Sequence, residues 1–234
     1  MCEKPFALNS AETEEMLAEA CKRGLFIMEA MWTCLLPGIK KLKSLIEEGA
    51  IGKVVSMEAC FGFEAPYDEN SRLYKAELGG GALLDVGIYP LALATYLFGQ
   101  PQSVSAEAEL SKTGIDAAGS YVLEFANGVS AKLSSSINKM ESNTAVIRGT
   151  EGSLRLPEDW WLMEKITLNG DSEIDCSYEC DAYSFQVQDV CDSLLKGDLQ
   201  STEVPHEWTR NIMRLLDDIR AQIGVVYPME SVGV

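Results

Sequence analysis

The apolar positions change period several times along the chain, and each change marks a different kind of element. After Asn9, residues Met16, Leu17, Ala20 and Cys21 share one face of a helical repeat. Asn9 can cap that helix, Glu12 at its third position completes a capping box, and Gly24 supplies a stop. Leu25 to Ala30 is a short apolar run that predicts a buried strand. Residues 35 to 48 predict a second helix with Leu42, Leu45 and Ile46 inward and Gly49 past its end. The period then drops to two. From Val54 to Phe63, residues Val55, Met57, Ala59 and Phe61 alternate with Ser56, Glu58 and Cys60, the pattern of a half-buried strand. Helical character returns from Gly79 to Phe98, with Pro90 in the interior and Gly99 at the end.

Seven short runs follow, at 104–110, 121–125, 129–135, 144–148, 153–156, 166–168 and 174–178, separated by Gly, Asn, Asp or Pro. Runs joined by tight turns pair antiparallel, because a parallel pair needs a long crossover. Two helices close the chain, 182–196 and about 206–223, the second carrying Trp208, Ile212, Leu215, Leu216 and Ile219 on one face. The fold class is α+β: one broad, mainly antiparallel sheet with helices on one face. If the other face is flat and partly apolar, it is expected to bind a second copy, giving a homodimer through the sheet.

Composition narrows the function classes. A chain of 234 residues can bury roughly 70–75% of its unfolded surface, so it needs no staples. The net charge of −17 disfavours nucleic acid and anionic membrane surfaces as partners. The seven cysteines show no framework spacing. Cys176 and Cys180 have no second pair or nearby histidine, so neither disulfides nor a metal site is expected. No signal peptide is recognised at Met1. The most apolar stretch, 78–99, contains Asp85 and several glycines and reads as a buried helix. A reducing, cytoplasmic setting is the expectation.

His206 is the lone histidine, so a nucleophilic triad would have to rest on it alone. No phosphate-cradling glycine loop of the G-x-G-x-x-G or G-x-x-x-x-G-K-[ST] form follows a strand. The informative segment is Leu78-Gly79-Gly80-Gly81-Ala82-Leu83-Leu84-Asp85-Val86-Gly87-Ile88-Tyr89-Pro90. Three glycines entering a helix expose backbone N–H groups and allow a ligand to approach closely. Asp85 and Tyr89, four residues apart, fall on one helix face. A tyrosine there can move a proton at a carbinol oxygen if a lysine lowers its pKa. A plain hydrogen-bonded surface pair is the competing reading.

Several motifs in order carry a resemblance. They are Glu3-Lys4-Pro5, the Ile51-Gly52-Lys53 turn after Glu48-Gly49, the glycine-rich segment through Pro90, Asp217-Asp218-Ile219-Arg220 and Tyr227-Pro228-Met229-Glu230. Together they span nearly the whole chain, which resembles the Gfo/Idh/MocA oxidoreductases, most closely the branch with glucose–fructose oxidoreductase and dimeric dihydrodiol dehydrogenase.

The resemblance implies NAD or NADP as cofactor and a sugar, polyol or dihydrodiol as substrate. It places Lys4 beside the nicotinamide and the substrate hydroxyl, makes Tyr89 the acid/base with Asp85 orienting substrate, and sets Glu3, Pro5 and Trp32 at the cofactor site. It also implies that residues 1–234 form a substrate-binding, catalytic and dimerisation domain, with 1–30 a remnant of the junction to an N-terminal Rossmann domain expected before Glu3. The chain alone is then expected to be inactive, and the alternative is a non-catalytic binding or dimerisation module. One departure stands out: Cys34 occupies a position where the branch commonly has arginine, which puts one anion contact in doubt.

Overall fold

The computed structural model describes residues 1–232. Its first element, β1 (Cys2–Glu3), lies parallel to β2 (Glu29–Ala30), and α1 (Ser10–Arg23) connects them. The Asn9 side chain accepts the Glu12 N–H, Glu12 returns to the Leu8 N–H, and Gly24 ends the helix in the left-handed conformation. The buried face is Thr13, Leu17 and Ala20; Cys21, expected inward, is exposed. The strand expected over 25–30 shrinks to two residues, and Leu25 is exposed. It follows directly on the αL cap at Gly24, so only the end of the run finds a partner in β1.

A 3₁₀ turn over Trp32–Leu35 leads into α2 (Pro37–Glu47), which buries Ile39, Leu42 and Leu45. β3 (Val54–Gly62) buries Met57 and Ala59 as its alternation predicts, but Val55 faces solvent. The pairing with β7 slips between Val54 and Ser56, a bulge that moves Val55 off the inner face. A single π turn, Leu83–Gly87, runs into α3 (Ile88–Phe98). The strands β4 (Pro101–Leu110), β5 (Asp116–Phe125), β6 (Ser130–Ser136), β7 (Ala145–Gly149), β8 (Ser153–Leu156), β9 (Lys165–Leu168) and β10 (Ser172–Asp175) follow, then α4 (Ser184–Lys196) and α5 (His206–Ile223).

β3 to β10 form one sheet in the order β10-β9-β8-β7-β3-β6-β5-β4. Every pairing is antiparallel except β3 with β6. The sheet is therefore mostly antiparallel, with one parallel seam that short-turn reasoning could not anticipate, because β3 precedes its partner by a long connection. Helix α3 lies against the sheet and is buried from Ile88 to Thr95. A helix apolar all round suits the middle of a layered core rather than its surface. The stretch Ala76–Phe98 is long and apolar enough to cross a membrane, yet 78% of its most apolar window is buried inside the fold. Gly87 allows close contact with the sheet: a Cβ there would sit 2.9 Å from Ser135 Oγ. The amphipathic α5 covers α3 and β4, with Ile212, Leu215, Leu216 and Ile219 buried; Trp208 is only half-buried. The opposite face of the sheet is more polar than expected. It presents Glu58, Ser120, Glu124, Lys132, Arg148 and Arg155, with Val122 and Val146 half-buried between them.

Candidate active site

After β1 the chain turns at Lys4–Pro5, a cis peptide bond, and Phe6 anchors the turn in the core at 2% exposure. This turn aims the Lys4 side chain at the junction between the π turn and α3. Its ammonium donates to the Asp85 carbonyl at 2.5 Å, stands 4.0 Å from Asp85 Oδ1 and lies 4.7 Å from the centroid of the Tyr89 ring. Lys4, Asp85 and Tyr89 are thus brought together, with the lysine as the link between them. The Asp85 carboxylate accepts from Arg72 Nη1 at 3.0 Å. The Tyr89 hydroxyl accepts from Trp32 Nε1 at 3.3 Å.

On the Asp85 side lies a cleft of about 380 Å³ lined by Lys4, Pro5, Ala7, Leu8, Arg72, Gly79, Gly80, Gly81 and Asp85 among others. Tyr89 does not line it. On the Tyr89 side stands an aromatic wall. Phe61 lies 5.2 Å from Tyr89 and stacks on Trp161 at 3.7 Å, while Trp32 packs 5.0 Å from the exposed Tyr183. Trp161 is presented by a 3₁₀ turn held between two left-handed residues, Asp159 and Met163, and its neighbour Trp160 is buried with Nε1 donating to the Cys60 carbonyl.

Burial acts on the two key groups in opposite senses, since it disfavours whichever form is charged. It lowers the Lys4 ammonium from its ordinary range, with the Asp85 charge pulling the other way. It pushes the Tyr89 phenol up to about 12 against the Trp32 hydrogen bond. The lysine sits over the ring face rather than beside the hydroxyl, and burial wins, so the Tyr89 phenol is neutral at pH 7. This departs from the lysine-lowered tyrosine that the sequence suggested.

The glycine triplet also has a different role from the one expected. The N–H groups of Gly79, Gly80 and Gly81 donate to the carbonyls of Ala76, Lys75 and Leu73, so none is left for a ligand. Gly81 has φ +131°, and any Cβ there would collide with the Asp116 carboxylate. That carboxylate accepts the Leu83 N–H at 2.6 Å at the start of the π turn. The triplet therefore lets a buried aspartate reach the head of the helix that carries Asp85 and Tyr89.

Of the residues expected at a cofactor, Pro5 lines the cleft, Glu3 points to solvent, and Trp32 is buried behind Tyr89. Cys34 is sealed in the core at 2% exposure, where burial pushes its thiol up, so it offers nothing to an anion. Glu29, not singled out from sequence, lies beneath the Lys4 turn. Its Oε1 accepts the Phe6 N–H at 3.2 Å, its Oε2 is buried without a hydrogen-bond partner among the described residues, and burial raises its carboxyl to about 7. Its signal was available: a glutamate inside an apolar run is a buried charge that needs a reason. Arg72, Phe61, Trp161 and Tyr183 carried no comparable signal.

Residues 39–155 match the GFO/IDH/MocA C-terminal domain. The trans-1,2-dihydrobenzene-1,2-diol dehydrogenase of Xenopus tropicalis is 34% identical over 239 residues, 97% of this chain and 72% of that protein. The Homo sapiens protein of the same name is 31% identical over 242 residues, 99% and 72% of the two chains. Among solved structures, an aldose-aldose oxidoreductase from Caulobacter crescentus complexed with glycerol superposes with a TM-score of 0.84 at 24% identity, covering 95% of this chain and 69% of the other. A 3-ketoreductase from Actinomadura kijaniata in complex with NADP and TDP-benzene gives 0.85 at 23%, covering 94% and 70%. These two show a shared fold. With the domain matched over half the chain and relatives above 30% identity across nearly all of it, the chain belongs to the GFO/IDH/MocA oxidoreductase family.

Proposed function

We propose that this chain carries the substrate side of an NAD(P)-dependent oxidoreductase acting on a secondary hydroxyl of a ring diol or sugar. The observation that carries the reading is the Lys4 ammonium, half-buried and within reach of both Asp85 and Tyr89. The names of the curated relatives support a diol. So does the wall of Phe61 and Trp161, because stacked rings bind the apolar face of a cyclic substrate.

A nicotinamide fits this site in part. Lys4, Pro5, Ala7 and Leu8 offer a charged, partly apolar surface for the reactive ring, whereas the cofactor's phosphates find no cradle, since the glycine N–H groups are all used internally. A dinucleotide-binding fold of its own is proposed to hold that end. When bound, the nicotinamide supplies hydride chemistry. Lys4 stabilises negative charge developing on the carbinol oxygen. Tyr89 donates its phenolic proton to that oxygen in the reducing direction and takes it back on oxidation. Asp85, with Arg72 holding its carboxylate, orients a neighbouring hydroxyl.

The test is nicotinamide-linked turnover of trans-dihydrodiols and aldoses by this chain joined to a dinucleotide-binding domain. Tyr89→Phe is expected to lower kcat by about 10²–10⁴, and unchanged turnover in that variant overturns the reading. The open sheet face is proposed to self-associate. Sedimentation together with an NAD(P) titration separates the enzyme from a plain dimerisation module: a dimer with no affinity for NAD(P) favours the module.

A further inference from the structure

The turn that carries Lys4 is held at both ends by β2. On its near side Cys2 and Glu3 pair with Glu29 and Ala30, and the Cys2 N–H donates to the Met28 carbonyl at 2.9 Å. On its far side the anchor is a side chain: the Phe6 N–H donates to Glu29 Oε1 at 3.2 Å. Between the two anchors lie only Lys4 and Pro5, and proline brings no N–H of its own. The Phe6 carbonyl is tied back in turn, by the Cys2 thiol at 3.4 Å. Two adjacent residues of β2 therefore set where the Lys4 turn starts and where it ends. From that base the Lys4 side chain, 13% exposed, extends to the Asp85 carbonyl, which its ammonium meets at 2.5 Å.

We infer that Glu29 is a positioning residue for Lys4: by accepting the Phe6 N–H it closes the turn and fixes the ammonium against Asp85 and the Tyr89 ring. A carboxyl is a costly group to bury for this purpose. Glu29 is 1% exposed, and its second oxygen, Oε2, has no hydrogen-bond partner among the described residues. Core packing alone would favour an apolar side chain at this position. The Phe6 N–H gives the carboxyl its reason, since a buried donor left unpaired carries its full desolvation penalty. The Thr209 hydroxyl of α5 lies beside the carboxyl, and the charge acting on it is that of Lys4 itself. Glu29 is thus coupled to the proposed reacting groups through the turn it closes, without standing among them.

The functional weight of this inference rests on the role proposed for Lys4, so its test includes a readout independent of turnover. With lysines labelled at ¹³Cε, the Lys4 resonance, identified by its loss in Lys4→Arg, is titrated by NMR. Glu29→Gln keeps an acceptor for the Phe6 N–H, and Glu29→Met does not. Both remove the Glu29 charge, which favours the ammonium, so the two variants are compared with each other. Burial holds the ammonium below its ordinary range, and a loosened turn releases it toward water. The midpoint in Glu29→Met is therefore expected about one pH unit above that in Glu29→Gln, a tenfold change in the proton equilibrium. Replacement of Phe6 by its α-hydroxy analogue makes an ester, which removes the donor and leaves Glu29 in place. It is expected to raise the midpoint above the wild-type value, and it decides the matter if Glu29→Met does not fold. Equal midpoints in the two Glu29 variants overturn the inference, as does an ester that titrates like the wild type. With the chain joined to a dinucleotide-binding domain, Glu29→Met is expected to show kcat about tenfold below Glu29→Gln, with KM little changed. If the midpoints separate as expected while no form turns over a diol or sugar, the positioning stands and the proposed reaction falls.

Discussion

On the cleft side of Lys4 the partners are charged and wet: Asp85 holds Arg72 at 3.0 Å, and the Arg72 side chain is 70% exposed. On the other side the partners are aromatic and mostly dry, from Tyr89 at 8% exposure to the stacked Phe61 and Trp161. The contrast separates two tasks. Exposed ion pairs contribute little stability and are easily screened, so in the proposed reaction the cleft side tunes and orients. Packed rings fix shape, so in the same reading the wall selects the substrate. Lys4 belongs to both sides, and burial lowers its ammonium while raising the phenol beside it.

The largest effect is expected where the two sides are severed. Lys4→Met keeps the stem but removes the charge, and turnover should fall by about 10³ with the melting temperature nearly unchanged; retained turnover would merge the two sides into scaffold. Next comes the rigidity of the cleft side. Gly81→Ala adds a Cβ against the Asp116 carboxylate in a backbone conformation that L side chains rarely adopt, and thermal melts should show a loss of about 3 kcal/mol.

A third test uses pH on the charged side. The folded Glu29 carboxyl keeps its proton up to about pH 7, whereas its ordinary value is 4.5. Its contribution to stability is fully present below the unfolded value and is lost as pH rises toward 7, on the order of 3 kcal/mol. Glu29→Gln should remove that loss. Denaturant titrations at pH 4 and pH 8 check it, and Asp116, also raised to about 7, should keep part of the slope in the variant. On the aromatic side, Trp161→Ala should raise KM for a ring diol about tenfold, within the worth of an aromatic contact, with kcat little changed. The smallest effect belongs to Arg72→Ala, where about 0.5 kcal/mol or less is expected in stability; a large loss of turnover there would give the cleft side a weight the exposure of Arg72 argues against.

Much of this frame was legible from periodicity. The strands from β4 to β10 and the limits of α5 follow alternation and turn residues, because half-buried strands write their two faces into sequence. The convergence of Lys4 with Asp85 and Tyr89 came through motif resemblance, since residues 81 positions apart carry no local signal of meeting. The aromatic wall was hidden for a related reason: Phe61, Trp161 and Tyr183 sit in three distant segments, and each alone reads as core or surface. The bulge at Val55 and the π turn escaped because both shift a register by one residue without changing composition. The glycine triplet was misread because its partner, Asp116, lies more than thirty residues downstream.

The parallel seam between β3 and β6 has a consequence for how the chain is made. β3 sits in the middle of the sheet, yet its two neighbours, β6 and β7, are encoded at residues 130–149. At roughly 5–20 residues per second, the ribosome releases β3 on the order of ten seconds before either edge can be paired. During that interval Met57, Ala59 and Phe61 have no sheet to join. The central strand of the mature sheet is thus the nascent chain's most exposed edge, and slow, non-local closure around it is expected to limit the rate of folding.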